Sequence, residues 1–356
     1  MGKKFKHLSF ADRIKIEVLL KEGKSAKYIA DYIGVHRSTI YREIKRGVFE
    51  ALNSDLTNEI RYSPDIADKK YHYNLTAKGP ELKIGKDLKY ANFLESMILE
   101  NDYSPEAVLG YIIDNNMQKD FTVSICKTTF YSYIEKGIFI NLTNKNLPVL
   151  GKKKRNYKKV RKNQSKAAAG RSIEKRPEHI NNRKEFGHWE MDTVIGKKSS
   201  KKSLLVLTER KTRDELIFLL NRHTAAEVVS KIDMLEEKLG EDFSEIFKSI
   251  TVDNGTEFSY AEELEMSKIQ EGNRTELYYC HPYTSCERGT NEVTNKMIRR
   301  KVPKGISFDD KTDEYIKEVQ NWINSYPRAL HKYQNAGEVF RKELGKIGLL
   351  KYAAIF

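Results

Sequence analysis

The sequence predicts a mixed-sheet α/β domain preceded by small all-α units, within a chain of 356 residues. Three observations carry that expectation. Apolar residues in the first 50 positions recur four apart, at helical spacing, and a similar run returns ninety residues later. From residue 187 onward, strand-like apolar runs alternate with an amphipathic helical segment. Between the two patterns, "GKKKRNYKKVRKNQSKAAAGRSIEKRP" has no apolar periodicity and acts as a connector.

The first segment, "SFADRIKIEVLLKEGKSAKYIADYIGVHRSTIYREIKRG", reads as three short helices. Ile14 and Val18 are expected to mark the core face of the first, Ile29 and Ile33 of the second, Ile40 and Ile44 of the third. Ser25 is placed to cap the second helix, and Gly34 falls where a tight turn must join the second to the third. This is a helix-turn-helix pattern. Its third helix turns Arg37, Ser38, Thr39, Tyr41, Arg42 and Lys45 away from the core, where they can reach base edges and phosphates in a major groove. An ordinary three-helix bundle would leave that cluster without a purpose.

A second copy follows. "VHRSTIYREIKRG" at 35–47 aligns with "ICKTTFYSYIEKG" at 125–137, keeping Thr, Tyr, Ile and Gly. "YSPEAVLGYI" precedes it with Ser104 as a cap, Pro105 at the first helical position and Glu106 in the first turn. Lys127 and Thr128 take the places of Arg37 and Ser38 and are expected to contact DNA. The copy is less basic, so packing or dimerisation is the alternative.

Charge supports a polyanionic partner. Residues 1–50 carry 12 Lys/Arg against 6 Asp/Glu, and 151–176 carry 12 against 1, so these two stretches more than account for the net +14. The 39% hydrophobic and 32% charged composition is that of a soluble globular protein. No apolar run approaches the roughly 20 residues that span a bilayer, and "MGKKFKHLSF" has no signal-peptide core, so a cytoplasmic, nucleoid-associated protein is expected with no membrane partner. Cys126, Cys280 and Cys286 include no CxxC pair and offer no zinc framework.

The second half begins with three strands, "GHWEMDTVIG" (187–196), "KSLLVLTERKT" (202–212) and "DELIFLLNR" (214–222). An amphipathic helix at 224–240 follows, then strands at 249–255 and 276–283. That order is the order of a ribonuclease-H-like domain. Asp192 lies within the first strand and Asp253 at the end of the fourth, just before "NG". If those strands are neighbours, the two carboxylates meet at one edge. Mutual repulsion then calls for cations between them, and hard divalent ions take oxygen ligands. A third carboxylate from a helix would complete a two-metal site for in-line phosphoryl transfer.

"HWEMD" at 188–192, "VDNGTEF" at 252–258, "HPYTSCERGTNEVTNK" at 281–296 and "NWINSYPRALHKYQNAGEVF" at 321–340, behind a helix-turn-helix, resemble a DDE transposase of insertion-sequence family thirty. The likeness covers nearly the whole chain. It implies a retroviral-integrase-like catalytic core and metal-dependent cleavage and strand transfer at the terminal inverted repeats of a mobile element. It also implies two Mg²⁺ ions, for which Mn²⁺ can substitute, double-stranded DNA as element ends and target, and a homodimer or higher oligomer on DNA. The corresponding divisions are 1–60 for the first helix-turn-helix domain, 61–145 for the second helix-turn-helix region and 146–180 for the basic linker. Residues 181–305 form the catalytic core and 306–356 a helical segment closing it.

Two glutamates compete for the third ligand. Glu287 is 34 positions beyond Asp253 and Glu292 is 39, so the family's shorter spacing favours Glu287. "GTNEVTNK", however, resembles the G-x-x-E-x-x-N pattern of integrase-type cores, which selects Glu292 together with Asp192 and Asp253 as the catalytic and metal-holding set. The extra length is assigned to "EMSKIQEGNRTE", a polar stretch where insertion is tolerated. Asn295 and Lys296 share a helical face with Glu292, and Arg299 and Arg300 follow, all four as candidate DNA contacts. Glu190 and His188 share a strand face with Asp192 and could adjust the site, and Glu257 is expected to make a turn or helix-start contact. Cys286 stands where many relatives carry tryptophan. A catalytically silent, domesticated transcriptional regulator is the alternative function. A tyrosine recombinase would need an Arg/His array around one tyrosine, and "RALHKY" is too thin a basis.

Overall fold

A computed structural model describes residues 7–76, 81–148, 170–197, 199–281 and 289–356. Glu287, Cys286 and most of the basic connector lie outside the described residues. The chain divides into two compact units, Met1–Leu82 and Lys83–Phe356.

In the first unit, α1 (Phe10–Lys21), α2 (Ala26–Ile33) and α3 (Arg37–Gly47) are joined as the pattern required. Ser9 caps α1 in a reciprocal box with Asp12, and Ser25 accepts from the Tyr28 amide to cap α2. Gly34 turns the chain into α3 with a left-handed φ of +78°. A hairpin, β1 (Val48–Leu52) and β2 (Asn58–Tyr62), and a fourth helix, α4 (Pro64–Thr76), complete the unit. Because α4 packs on α1 and α3, the division falls after Leu82 and not at residue 60.

One core face differs from expectation. Ile14 and Val18 are 44% and 49% exposed, whereas Ile16 is fully buried. The inward stripe of α1 is Asp12, Arg13 and Ile16, with Leu19 and Leu20 partly covered. Arg13 can occupy the interior because its Nε meets Glu43 of α3 at 2.7 Å and its Nη1 meets Asp68 of α4 at 2.9 Å.

The second unit opens with α5 (Leu88–Leu99), α6 (Pro105–Asp114) and α7 (Lys127–Glu135) around Tyr90, Leu94, Val108, Phe130 and Ile134. Ser104 accepts from the Ala107 amide at the head of α6, with Pro105 in the first helical position. Helix α7 begins ninety residues after α3, in keeping with the internal repeat.

After the short α8 (Glu178–Asn181) come β3 (His188–Ile195), β4 (Ser203–Glu209) and β5 (Glu215–Leu220), an antiparallel meander. Then follow α9 (Ala225–Leu239), α10 (Phe243–Ile246), β6 (Ser249–Val252), α11 (Ala261–Glu265) and β7 (Glu276–Tyr279). The sheet order is β5-β4-β3-β6-β7, with β6 parallel to both β3 and β7. This is a ribonuclease-H-like fold. Helices α12 (Gly289–Lys301), α13 (Asp313–Asn324) and α14 (Ala336–Lys346) complete it.

Strand alternation sorts the two faces. Trp189, Met191, Leu205 and Leu207 pack toward α9, α10 and α14, and the C-terminal Phe356 ring lies 4.6 Å from Phe340 in the same cluster. Val194, Val206, Ile217 and Leu219 pack against Ile298 of α12 and Ile316, Val319 and Ile323 of α13. Among the described residues, no helix is long and apolar enough to cross a membrane.

Candidate catalytic and nucleic-acid-binding residues

Sheet topology puts the strands that lead to the two aspartates side by side. Strands β3 and β6 run parallel with Glu190 opposite Thr251. Asp192 lies two residues beyond Glu190 on β3 and Asp253 two beyond Thr251, just past the end of β6, so continuing that register would set them on adjacent strand lines about 4.8 Å apart. Both are half-buried. The turn after Asp253 is fixed locally: its Oδ1 accepts from the Gly255 amide at 3.0 Å, and Asn254 Nδ2 donates to the Cys280 carbonyl at 2.7 Å. Gly255 leaves room for a neighbour, since a Cβ there would stand 2.5 Å from Glu257 Oε2.

Glu257 makes more than a turn contact. Its Oε1 accepts from Thr193 Oγ1 at 2.6 Å and lies 3.2 Å from His223 Nε2, which is itself 3.0 Å from Thr193 Oγ1. The loop after Asp253 is thereby tied to the residue beside Asp192. Glu190 is wholly buried, 2.7 Å from Arg210 Nη1, and accepts from Thr290 Oγ1 at 3.3 Å. Burial pulls the Arg210 guanidinium down to about 10 against the attraction of Glu190, so it stays charged near neutrality. Glu190 therefore holds the head of α12, and His188 is buried at the start of β3 with Nδ1 2.7 Å from Ser249 Oγ.

Helix α12 meets the sheet through polar groups in its first two turns. Thr290 reaches Glu190, Thr294 Oγ1 donates to Glu215 at 2.5 Å, and Asn295 Nδ2 donates to Asp192 Oδ2 at 2.8 Å. Glu292 faces the other way. Its side chain is 63% exposed and its Oε1 accepts from Lys296 Nζ at 2.8 Å, a bond that holds the carboxyl below its ordinary value. Asn295 is thus brought to Asp192, whereas Glu292 pairs with Lys296 on the exposed side.

The remaining candidate contacts divide. Lys296 is exposed, but Arg299 donates to the Ile195 carbonyl at 2.6 Å. Arg300 bonds the Asp102 carbonyl and lies 5.0 Å from the Trp322 ring, so its contacts are internal to the unit. On α3, Arg37, Tyr41, Arg42 and Lys45 are exposed, with the Arg37 guanidinium 5.9 Å from the Tyr41 ring. Ser38 and Thr39 are half-buried, and Ser38 Oγ stands 2.8 Å from His36 Nδ1. On α7, Lys127 and Thr128 are exposed, and Lys127 Nζ meets Glu106 Oε2 at 2.6 Å.

One group went unread in the sequence. Among the described residues, His179, Glu185 and His188 place their ligand atoms within 4.8 Å of one another. The spacing H-x₅-E-x₂-H is too loose to signal metal binding without the fold.

A ribonuclease-H-like sheet with adjoining aspartates, on a chain that begins with a helix-turn-helix, defines the class of integrase-like recombination proteins. Residues 4–47 match a family model described as "Helix-turn-helix domain". Over 342 residues the chain is 33% identical to "Probable transposase for insertion-like sequence element IS1161" of Streptococcus salivarius, covering 94% of each protein. It is 30% identical to "Transposase for insertion sequence element IS4351" of Bacteroides fragilis, covering 95% of this chain and 96% of that one. It is 28% identical to "Transposase InsI for insertion sequence element IS30C" of Escherichia coli (strain K12), covering 94% and 84%. The chain belongs to the insertion-sequence transposases of family thirty.

Proposed function

We propose that this transposase binds the terminal inverted repeats of an insertion sequence and cuts and joins DNA strands by DDE-type chemistry, with Asp192, Asp253 and Glu292 as its acidic set. The observation that supports this reading is the parallel pairing of β3 and β6, whose register, continued two residues, would bring together two aspartates 61 residues apart. An all-oxygen donor set fits Mg²⁺, with Mn²⁺ as a substitute, and Asp192 and Asp253 would hold it with Glu292 joining from α12. When bound, two such ions supply activation of a water or 3′-hydroxyl and stabilisation of the leaving oxygen.

The chain's own residues do the positioning. Asn295 orients Asp192, and the Asp253–Gly255 turn fixes the second aspartate. Glu292 is 63% exposed, and to join the acidic site it has to leave Lys296 and turn toward the sheet. Lys296, once released, is free for a DNA phosphate. In the first unit, Arg37, Ser38, Thr39, Tyr41, Arg42 and Lys45 read or clamp the element end, and Lys127 and Thr128 contribute once Lys127 leaves Glu106. Pairing two ends before cutting calls for at least a dimer, working on DNA in the bacterial cytoplasm.

Glu287→Gln should cut end-containing DNA in Mg²⁺, whereas Glu292→Gln should bind the same DNA without cutting it. Equal cutting by the Glu292→Gln protein, or cutting by the native protein in EDTA, overturns the assignment. Binding without cutting by the native protein in both Mg²⁺ and Mn²⁺ would instead favour a silent, DNA-binding regulator.

A further inference from the structure

We propose that His179, Glu185 and His188 form a binding site for a zinc-class divalent cation, which fastens the segment following the basic connector to the first strand of the core. Glu185 Oε2 lies 3.2 Å from His179 Nε2 and 3.4 Å from His188 Nε2. Ligand atoms bonded to zinc at about 2.0–2.1 Å in a tetrahedron stand about 3.3 Å apart, so these two separations are edges of such a site. The other Glu185 oxygen, Oε1, is held by Lys248 Nζ at 2.9 Å, which leaves Oε2 turned toward the imidazoles.

The buried imidazole points to a ligand independently. His188 is 5% exposed, and the one group its Nε2 faces is Glu185 Oε2, at a long 3.4 Å. Its Nδ1 stands 2.7 Å from the buried Ser249 Oγ, and the tautomer that donates there leaves a lone pair on Nε2. In that tautomer the Nε2 lone pair faces Glu185 Oε2 across 3.4 Å, an approach that a cation between the two makes favourable, as a proton on Nε2 would in the other tautomer. Two imidazoles and one carboxylate select zinc-class ions over Mg²⁺, and the exposure of His179 leaves a fourth position open to water.

This site is separate from the paired aspartates. His188 and Asp192 lie four residues apart on one extended strand, or about 13 Å at roughly 3.3 Å per residue. The proposal does not depend on which carboxylates cut DNA. His179 belongs to α8 and His188 begins β3, so a shared ion would cross-link the connector's exit to the sheet.

The test uses the full chain, stripped with a chelator and titrated with Zn²⁺ against a competing indicator. The native protein and the Asp192→Asn/Asp253→Asn double variant should each bind one tight equivalent. His179→Ala, an exposed change that leaves the core packing intact, should weaken that equivalent by about tenfold or more. Co²⁺ should give the intense visible absorption of a four- or five-coordinate ion in the native protein and not in His179→Ala. Undiminished Zn²⁺ binding by both His179→Ala and Glu185→Gln overturns the proposal. So does the absence of a tight equivalent in a native protein that circular dichroism shows to be folded.

Discussion

Glu215 shows how much a single buried carboxyl can matter. It sits at the start of β5 with no exposure, accepting from Thr208 Oγ1 at 2.6 Å and from Thr294 Oγ1 of α12 at 2.5 Å. Burial pushes it up to about 8, against the pull of Arg328 and the two hydroxyls, and burial raises neighbouring Asp214 to about 8 as well. The unfolded chain releases the Glu215 proton at about pH 4.3 while the folded chain keeps it until about pH 8. This contribution to stability is therefore complete in acid and declines as pH rises through that window. Glu215→Gln removes the titration. Urea unfolding at about pH 6 and about pH 8 should show the variant gaining on the native protein by up to roughly 1 kcal/mol per pH unit. A constant difference between the two proteins would refute the assignment. At this scale the sequence singled out Asp192 and Asp253 as candidates, because a strand pattern and an "NG" turn mark their positions. It could not reveal that Glu190 bonds Arg210 and Thr290, or that Glu257 bonds Thr193, since those partners are 20 to 100 positions away.

Elements were legible where their periodicity is apolar and failed where charge goes inside. Helix α1 is the clearest case: an i, i+4 apolar pair suggested Ile14 and Val18, yet the buried stripe runs through Arg13 and Ile16. Ile16→Ala should cost about 2–5 kcal/mol of first-unit stability, whereas Ile14→Ala should stay within about 0.5 kcal/mol. Thermal or urea melting of the two proteins checks this, and comparable losses would restore Ile14 and Val18 as the core face. Helix α12 follows the same rule, with Thr290, Thr294 and Asn295 on its inner face and the candidate ligand Glu292 outside. Helix α13 protects a sheet edge. Gln320 Oε1 accepts from the Ile217 amide at 3.0 Å and Asn324 Oδ1 from the Glu215 amide at 2.9 Å, satisfying backbone donors that an edge strand leaves open.

For the whole molecule, charge placement governs DNA affinity. Residues 1–50 and 151–176 carry the chain's excess of positive charge, and Arg37, Arg42 and Lys45 of α3 are exposed. If Lys152, Lys153 and Lys154 each neutralise a phosphate, changing all three to Gln should flatten the dependence of log affinity on log salt. The slope should fall by about 0.9 for each phosphate no longer neutralised, on specific and random duplexes alike. Binding isotherms at several salt concentrations measure that slope, and an unchanged value would make the run a spacer only. By itself the sequence determined the helix-turn-helix and the order of strands and helices, and it marked a repeat ninety residues on and two candidate aspartates. Each of these is written in local spacing, where helix and strand periods and turn residues act over a few positions. Tertiary structure alone decided that β3 and β6 are parallel neighbours with Glu190 opposite Thr251, that α4 belongs to the first unit, and that Arg13 and Glu190 are buried ion-pair members. It also gathered His179, Glu185 and His188. Those outcomes depend on which distant groups satisfy one another's charge and hydrogen bonds once water is excluded, and local spacing carries no record of that choice.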